Sequence, residues 1–596
     1  MSVLTTIPWR LGPANPLLLR VVTAGGRRWR HAVIRWIYLG LLIAVLLVAL
    51  LLASANAGSL SELAKAATRV FRAISYVQLG MICLLGPVFT AGAITQERDS
   101  RTYSILLATP LSNGQIVLGS LLSRLYYIVV LLLSGVPVFA ITLFYGGVTA
   151  RGILLSFGIA LATAVFMGAL AITIAVLRVG SARTVFWFYF FNAVYLVGVG
   201  LIDPSLSGPS GHTTVLTSIH PFLALQSVVN PTAYPVPDPA ELAGHSLLVR
   251  LYLGYPAQAF LVMTFALSAL LVGVGTLTLR YLAQRAASAP WRRLLQRLFG
   301  LAKTRRPRSV WKSPIAWREA MTRGGTVTRG LTRWVAILLG IVGAGLVIWG
   351  RHTGALDVDL ARQAITGTML VVFTLTLLLA ANIAAAAITR EQESQTLDLF
   401  LVTPLTSRDY VEGKFRGVLL FLLPLVVVPP VCLGFVVLDD LLTGRLSSEP
   451  SVFPETLLAL PVFTGIFTVL ACLLGLISSL RWSRTVTSVM ATVGALGGIA
   501  TMLGFCGFAT MQVTGLGIVA NALSPFTGLL VLLNPWSWAR PSMSAFSADS
   551  GFSTPTVRIM IAGSVLISAL LYGFLAWLMY RWLLRNFDLV LRRQRR

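Results

Sequence analysis

Two stretches of this chain, ITQERDSRTYSILLATPL at residues 94–111 and ITREQESQTLDLFLVTPL at residues 388–405, carry one pattern twice. Nine of their 18 aligned positions are identical, and the register continues to Gly119 and Gly413. A repeat of this quality is read first, because it divides the fold before any single element is assigned. Each copy follows a long apolar run and closes on a Thr-Pro step, so the duplicated unit contains hydrophobic segments of membrane length.

The rest of the chain has the same character. Of its 596 residues, 56% are hydrophobic and 11% charged, and the mean hydropathy is +0.82. Soluble domains carry about 25% charged residues. Twelve apolar runs read as membrane spans: 34–52, 74–94, 117–144, 153–177, 185–201 and 258–279, then 334–349, 368–388, 417–438, 457–480, 486–510 and 559–584. The expected fold is an all-α polytopic membrane protein, with about twelve transmembrane helices as two parallel six-helix repeats. They are parallel because an even number of spans returns the chain to the side it left. Residues 1–280 form the first six-helix unit and 333–596 the second. Residues 281–332 supply a basic cytoplasmic linker and the connecting helix of the second unit.

The formal net charge of +27 raises the question of nucleic acid. Its distribution answers otherwise. Most of the 47 Lys and Arg fall in segments on one side, which the positive-inside rule makes cytoplasmic, and Arg280 to Arg333 alone hold 14 of them. Basic charge here means topology and contact with anionic lipid. The expected location is the plasma (inner) membrane, multi-pass, with both termini cytoplasmic. Arg20, Arg27, Arg28 and Arg30 precede the first run, which therefore reads as a retained anchor. Cys83, Cys432, Cys472 and Cys506 all lie in apolar runs and act as small hydrophobes.

In this topology the duplicated pattern is the short cytoplasmic connection between the second and third spans of each half. Carboxylates are unfavourable against anionic lipid. Glu97 and Asp99 in one copy, and Glu391 and Glu393 in the other, therefore call for a partner. That partner is either a nearby basic residue, such as Arg98 or Arg390, or a docked cytoplasmic protein. Pro110 and Pro404 disfavour helix at the residue before them, so a short interfacial helix should stop near Thr109 and Thr403. A turn containing Asn113-Gly114 or Ser407-Arg408 should then open the third span.

The pattern Ile-Thr-x-Glu-x-(Asp/Glu)-Ser-x-Thr, an apolar run, Thr-Pro-Leu-(Ser/Thr) and a glycine in the third span resembles the permease family of type-2 ABC exporters. The Asn-Pro-x-x-x-Arg opening at residues 15–20 and the long outer segment before each sixth span agree with it. The resemblance implies two six-span units facing each other, driven by a dimer of cytoplasmic ABC ATPase subunits that bind ATP and Mg. This chain itself would bind no cofactor. The resemblance also implies ATPase coupling through Glu97, Asp99, Thr102, Leu107, Thr109 and Pro110, and through Glu391, Glu393, Thr396, Leu401, Thr403 and Pro404. Arg20 and Arg318 would lie in connecting helices. Permeases of the family commonly have six spans and dimerise, whereas this chain reads as a fused pair.

No phosphate-binding G-x-x-x-x-G-K-[ST] loop occurs in the sequence, and Gly413-Lys414 is followed by Phe415. Nor is there a G-x-S-x-G elbow or an H-E-x-x-H helix, so the chain is expected not to be an enzyme. Two other readings fit the architecture: an ion-driven secondary transporter, and a membrane scaffold recruiting an ATPase to mature an exported enzyme. Asn192 and Asn382 are candidate pathway residues, since polar groups inside spans often mark a route, although asparagine also bonds helix to helix. The default cargo is hydrophobic or amphipathic. His212, His220 and His245 read as parts of a solvated outer loop, with no metal site. The segments 220–231 and 524–535, each Pro-Phe near its start and Asn-Pro at its end, suggest short helices dipping back toward the membrane.

Overall fold

The computed structural model describes residues 29–54, 60–90, 110–144, 146–176, 213–232, 234–237, 246–284, 310–324, 327–354, 356–397, 404–445, 450–511, 517–538 and 554–595. Gly244 and scattered residues within 15–23 and 188–199 are described besides. Every regular element among them is helical. The first half contains α1 (Trp29–Ser54), α2 (Leu60–Thr90), α3 (Asn113–Phe144), α4 (Ala150–Val176), α5 (Pro221–Val229), α6 (Leu247–Gly254) and α7 (Pro256–Gln284). The second contains α8 (Pro314–Gly324), α9 (Val327–His352), α10 (Val358–Ala385), α11 (Thr389–Glu393), α12 (Ser407–Leu442), α13 (Thr456–Arg481) and α14 (Thr485–Met511). It ends with α15 (Gly517–Ala522), α16 (Pro525–Leu533), α17 (Pro535–Trp538) and α18 (Thr554–Arg595).

Eleven of the twelve expected spans are therefore helices, and nine of those are long and apolar enough to cross a membrane among the described residues. Of the remaining span, 185–201, eight residues (188, 191, 192, 194–196, 198 and 199) are described, and all are helical. The third spans start earlier than the sequence suggested. Asn113 and Ser407 are already the first helical residues of α3 and α12. The reason is capping. Ser112 Oγ accepts from the Gln115 amide while Gln115 Oε1 accepts from that of Ser112, a reciprocal capping box. Thr406 Oγ1 accepts from Asp409 N at 3.1 Å and donates to the Asp409 carboxylate at 2.6 Å. The final Ser/Thr of the duplicated pattern is thus an N-cap, and no separate turn is needed.

Each third span also receives the segment that opens its half. In the first half, Asn15 donates from Nδ2 to the Gln115 carbonyl, and a Cβ on Gly119 would lie 2.4 Å from Asn15 Oδ1. In the second, α8 packs along α12, and a Cβ on Gly413 would lie 2.8 Å from Ile315 Cβ. The duplicated glycine is therefore a point of close approach in both halves. One turn further, a Cβ on Gly417 would meet Glu319 Cβ at 2.5 Å and the Ala316 carbonyl oxygen at 2.9 Å.

Two apolar cores result. One consists of second-half residues on α9, α10, α12, α13 and α18, and the other is built on α1 to α4 and α7. The second core also takes in Ala381, Ala385, Val486, Val489, Met490 and Val493 from α10 and α14. The halves meet there, with α14 lying against α2 and Leu84 filling the space over Gly497.

Helices α5 and α16 are the expected short helices of the outer segments. Each starts on proline, which suits the first helical turn, and each ends before an asparagine. Arg72 Nη2 donates to Asn230 Oδ1 at 2.8 Å beside the end of α5, and Ser524 Oγ donates to the Ala500 carbonyl at 3.1 Å beside the start of α16. His220 differs from its sequence reading. It is buried, it N-caps α5, and its Nε2 bonds the Leu196 carbonyl at 2.9 Å. His212 and His245 lie outside the described residues.

Burial lowers the His220 imidazole to about 4 from its ordinary 6.5, against the opposing pull of the Leu196 carbonyl. Its contribution to stability is complete above the ordinary value and is lost as pH falls from there through about 4, some ~3 kcal/mol in all. Melting temperatures in detergent from pH 7.5 to 4.5 are expected to fall less steeply for His220→Gln than for the native chain. Gly417→Ala is expected to cost about 1–3 kcal/mol by overpacking, because a backbone carbonyl cannot swing aside. Gly434→Ala, whose Cβ would meet only Leu457 at an ordinary 3.5 Å, is the comparison that should melt unchanged.

Candidate functional site

The second copy of the acidic pattern is built as a short helical elbow. Below α10 the chain turns through Ala386 and Ala387 into α11, and the Ile388 and Thr389 amides donate to Ser479 Oγ at 2.8 and 2.9 Å. That contact fixes the root of the elbow to the end of α13. The elbow ends at Gln395, which holds φ at 56°, alone among the described non-glycine residues in taking a left-handed conformation. Thr396 N then donates back to the Glu391 carbonyl at 2.9 Å, closing the last turn.

Glu391 points inward. Its carboxylate accepts from Tyr410 Oη, from the Arg318 guanidinium and from Lys414 Nζ, the last at 2.5 Å. Lys414 is 1% exposed and also donates to Glu319 and, at 3.1 Å, to the Ala387 carbonyl. Glu319 is 2% exposed and Glu391 7%. Two cations and two anions thus balance in a cluster joining α8, the elbow and α12, with Lys414, Glu319 and Glu391 buried and Arg318 39% exposed. Such a cluster holds only while each charge keeps its partners, because desolvation costs several kcal/mol per ion.

Glu393 does something different. It is exposed, and its two carboxylate oxygens accept from the Thr485 amide at 2.7 Å and the Thr485 hydroxyl at 2.8 Å. Thr485 is the first residue of α14, so a carboxylate sits on a helix N-terminus where its charge is favourable. The elbow is therefore bonded at its root to α13, through Glu391 to α8 and α12, and through Glu393 to α14.

Thr396 hydroxyl bonds Ser394 Oγ at 2.9 Å within the same turn, and Pro110 and Pro404 are both exposed. Glu97, Asp99, Thr102, Leu107, Thr109, Leu401, Thr403 and Arg20 lie outside the described residues. Asn192 and Asn382 are both buried in the spans. Asn192 borders a cavity between the halves, whereas on α10 it is the neighbouring Ala381, not Asn382, that borders it.

Sequence reasoning missed Glu319, Tyr410 and Lys414. A signal existed: Tyr410 and Lys414 stand one helical turn apart at the start of the third span, and Glu319 adjoins Arg318. In the registers that align the two halves, the corresponding first-half positions are Val21, Ile116 and Ser120. Only the Arg and the Glu recur, as Arg20 and Glu97.

Residues 29–285 match the family model described as ABC-2 family transporter protein. Comparison with curated proteins and with solved structures found no match.

Lys414→Met leaves two buried carboxylates facing one arginine and is expected to cost about 3–5 kcal/mol. The triple change Glu319→Gln, Lys414→Met, Glu391→Gln removes all three buried charges together and should recover most of that loss. Melting of the purified variants in detergent checks both statements. A Lys414→Met chain as stable as the native one would contradict the cluster.

Proposed function

We propose that this chain, which matches the ABC-2 family transporter model over residues 29–285, is the membrane permease of an ATP-driven exporter whose ATPase is a separate cytoplasmic subunit. Residues 1–280 and 333–596 would be the two permease units, and both termini would face the cytoplasm at the inner membrane. ATP and Mg belong to the partner, a dimer of ATPase subunits. The cargo is hydrophobic or amphipathic.

The observation that carries this reading is the bonding of the second elbow. A segment that transmits force must be attached more firmly to the spans than the spans are to one another. Here one five-residue helix is bonded to α8, α12, α13 and α14 by buried or charge-assisted contacts. An ATPase that displaces the elbow would therefore displace the N-terminus of α14. That helix runs on past Val493 and Gly497, about 12–18 Å further along at 1.5 Å per residue, where it faces the other half. In this reading Glu391 locks the elbow to its own half and Glu393 drives α14. The surface offered to the ATPase is the outer face of the turn, with Ser394 and Gln395 exposed. Coupling of this kind requires two states with different contacts, not distance alone.

Tagged chain isolated in mild detergent should bring down an ATPase subunit, and the ATPase activity of that complex should depend on the permease. With Glu393→Gln, binding and melting temperature are expected to stay within error while the permease-dependent part of the ATPase activity falls about tenfold or more. Absence of any ATPase from the native preparation, with or without nucleotide, would remove the motor and with it this reading.

A further inference from the structure

Where the two halves meet, the packing leaves a cavity of about 380 Å³. This lies at the small end of the range for ligand pockets, roughly 300–1,000 Å³. Its walls come from both halves: Cys83 and Leu84 on α2, Asn192, Leu377 on α10, and Leu496 and Gly497 on α14. Phe222 of α5 and Phe526 of α16 also border it. Leu377 is 11 residues from Ile388 at the root of the elbow, about 16 Å along a helix, which is mid-membrane depth.

The chemistry of this wall is narrow. No Asp, Glu, Lys, Arg or His borders the cavity, so a charged ligand would enter unpaired at a prohibitive cost. Of the polar side chains present, Thr374 Oγ1 already donates to the Leu370 carbonyl at 2.7 Å and Thr501 Oγ1 to the Gly497 carbonyl at 2.8 Å. Asn192 is 6% exposed, and its Nδ2 reaches the Cys83 carbonyl at 3.5 Å. Its Oδ1 is buried without a hydrogen-bond partner among the described residues. An unmet buried carbonyl costs about 1–3 kcal/mol, so the site is incomplete as it stands.

We propose that this cavity binds an uncharged, predominantly apolar molecule that donates one hydrogen bond, from a hydroxyl or amide N–H, to Asn192 Oδ1. The handle exists in one half only. In the register that aligns Arg183 with Arg484, the position of Asn192 is taken by Val493, which also borders the cavity. The polar end of the ligand therefore turns toward the first half and its apolar body toward α10 and α14. That the bound molecule is cargo rests on the permease reading; that it binds does not.

Cys83 in the wall gives the readout. The full chain with Cys432, Cys472 and Cys506 changed to Ala is placed in lipid nanodiscs without ATPase, and Cys83 modification by methyl methanethiosulfonate is timed. Three twelve-carbon probes are compared: 1-dodecanol, dodecane and dodecanoate. Dodecanol is expected to slow modification about tenfold, dodecane to do so only at higher concentration, and dodecanoate not at all. Asn192→Val should raise the dodecanol concentration needed about tenfold and leave dodecane unchanged. Leu377→Trp, which fills the space, should abolish protection by both. Dodecanoate protecting as well as dodecanol, or Asn192→Val responding like the native wall, overturns the proposal. So does a Cys83 that stays unmodified without any probe, because such a cavity admits nothing. The missing ATPase that would end the permease reading leaves all of these outcomes as they are.

Discussion

The ammonium of Lys414, enclosed near the N-terminal end of α12, is the constraint around which the second half is arranged. A cation in that position must be neutralised, and the two carboxylates that do so come from segments 95 and 23 residues away. Glu319 brings the connecting helix, and Glu391 brings the elbow. Arg318 and Tyr410 then satisfy what remains of the Glu391 carboxylate. The approach of α8 to α12 over Gly413 and Gly417 is the packing counterpart of the same requirement, since any side chain there would hold the charges apart.

Ionic and apolar contacts divide the work. The apolar cores give each half its bulk and join the halves along α2 and α14, but they carry little directional information. Direction enters through the few polar bonds at the membrane surface. Ser479 fixes where the elbow begins, Gln395 fixes where it turns, and Glu393 fixes which helix it holds. The opposite ends of the spans follow the same scheme in the second half. Arg351 pairs with Asp440 at 3.0 Å, and Asp440 also accepts from the Ser451 amide at 2.7 Å, so the ends of α9 and α12 and the segment leading into α13 are bonded together.

Much of this was legible in the sequence, and for definite reasons. Hydrophobic runs of membrane length must be helical because lipid offers the backbone no partner, so the all-helical fold and most span positions followed from composition. The duplication located the second elbow, and proline and asparagine punctuation located α5 and α16. The start of the third spans was misplaced because Asn113-Gly114 looks like a turn, whereas Ser112 and Gln115 two and five residues after Pro110 form a capping box that overrides it. His220 reads as solvated because it shares its outer segment with His212, His245 and irregularly spaced carboxylates; its burial depends on Leu196, 24 residues away. Lys414 was invisible for the same kind of reason. A lysine beside a predicted membrane boundary reads as an ordinary surface charge until the connecting helix is seen lying across it.

Carrying two repeated halves in one polypeptide has a consequence beyond economy of assembly. In a homodimer every wall residue appears on both sides of the dyad, so an Asn192 matched by Val493, or a Lys414 matched by Ser120, is forbidden by symmetry. One gene encoding both halves lifts that prohibition. Mutations in one half need not be mirrored in the other, so the two can take separate specialities: in the proposed reading, one supplies the handle that orients a guest and the other the stiff lever. The stoichiometry of that partnership is set by translation itself.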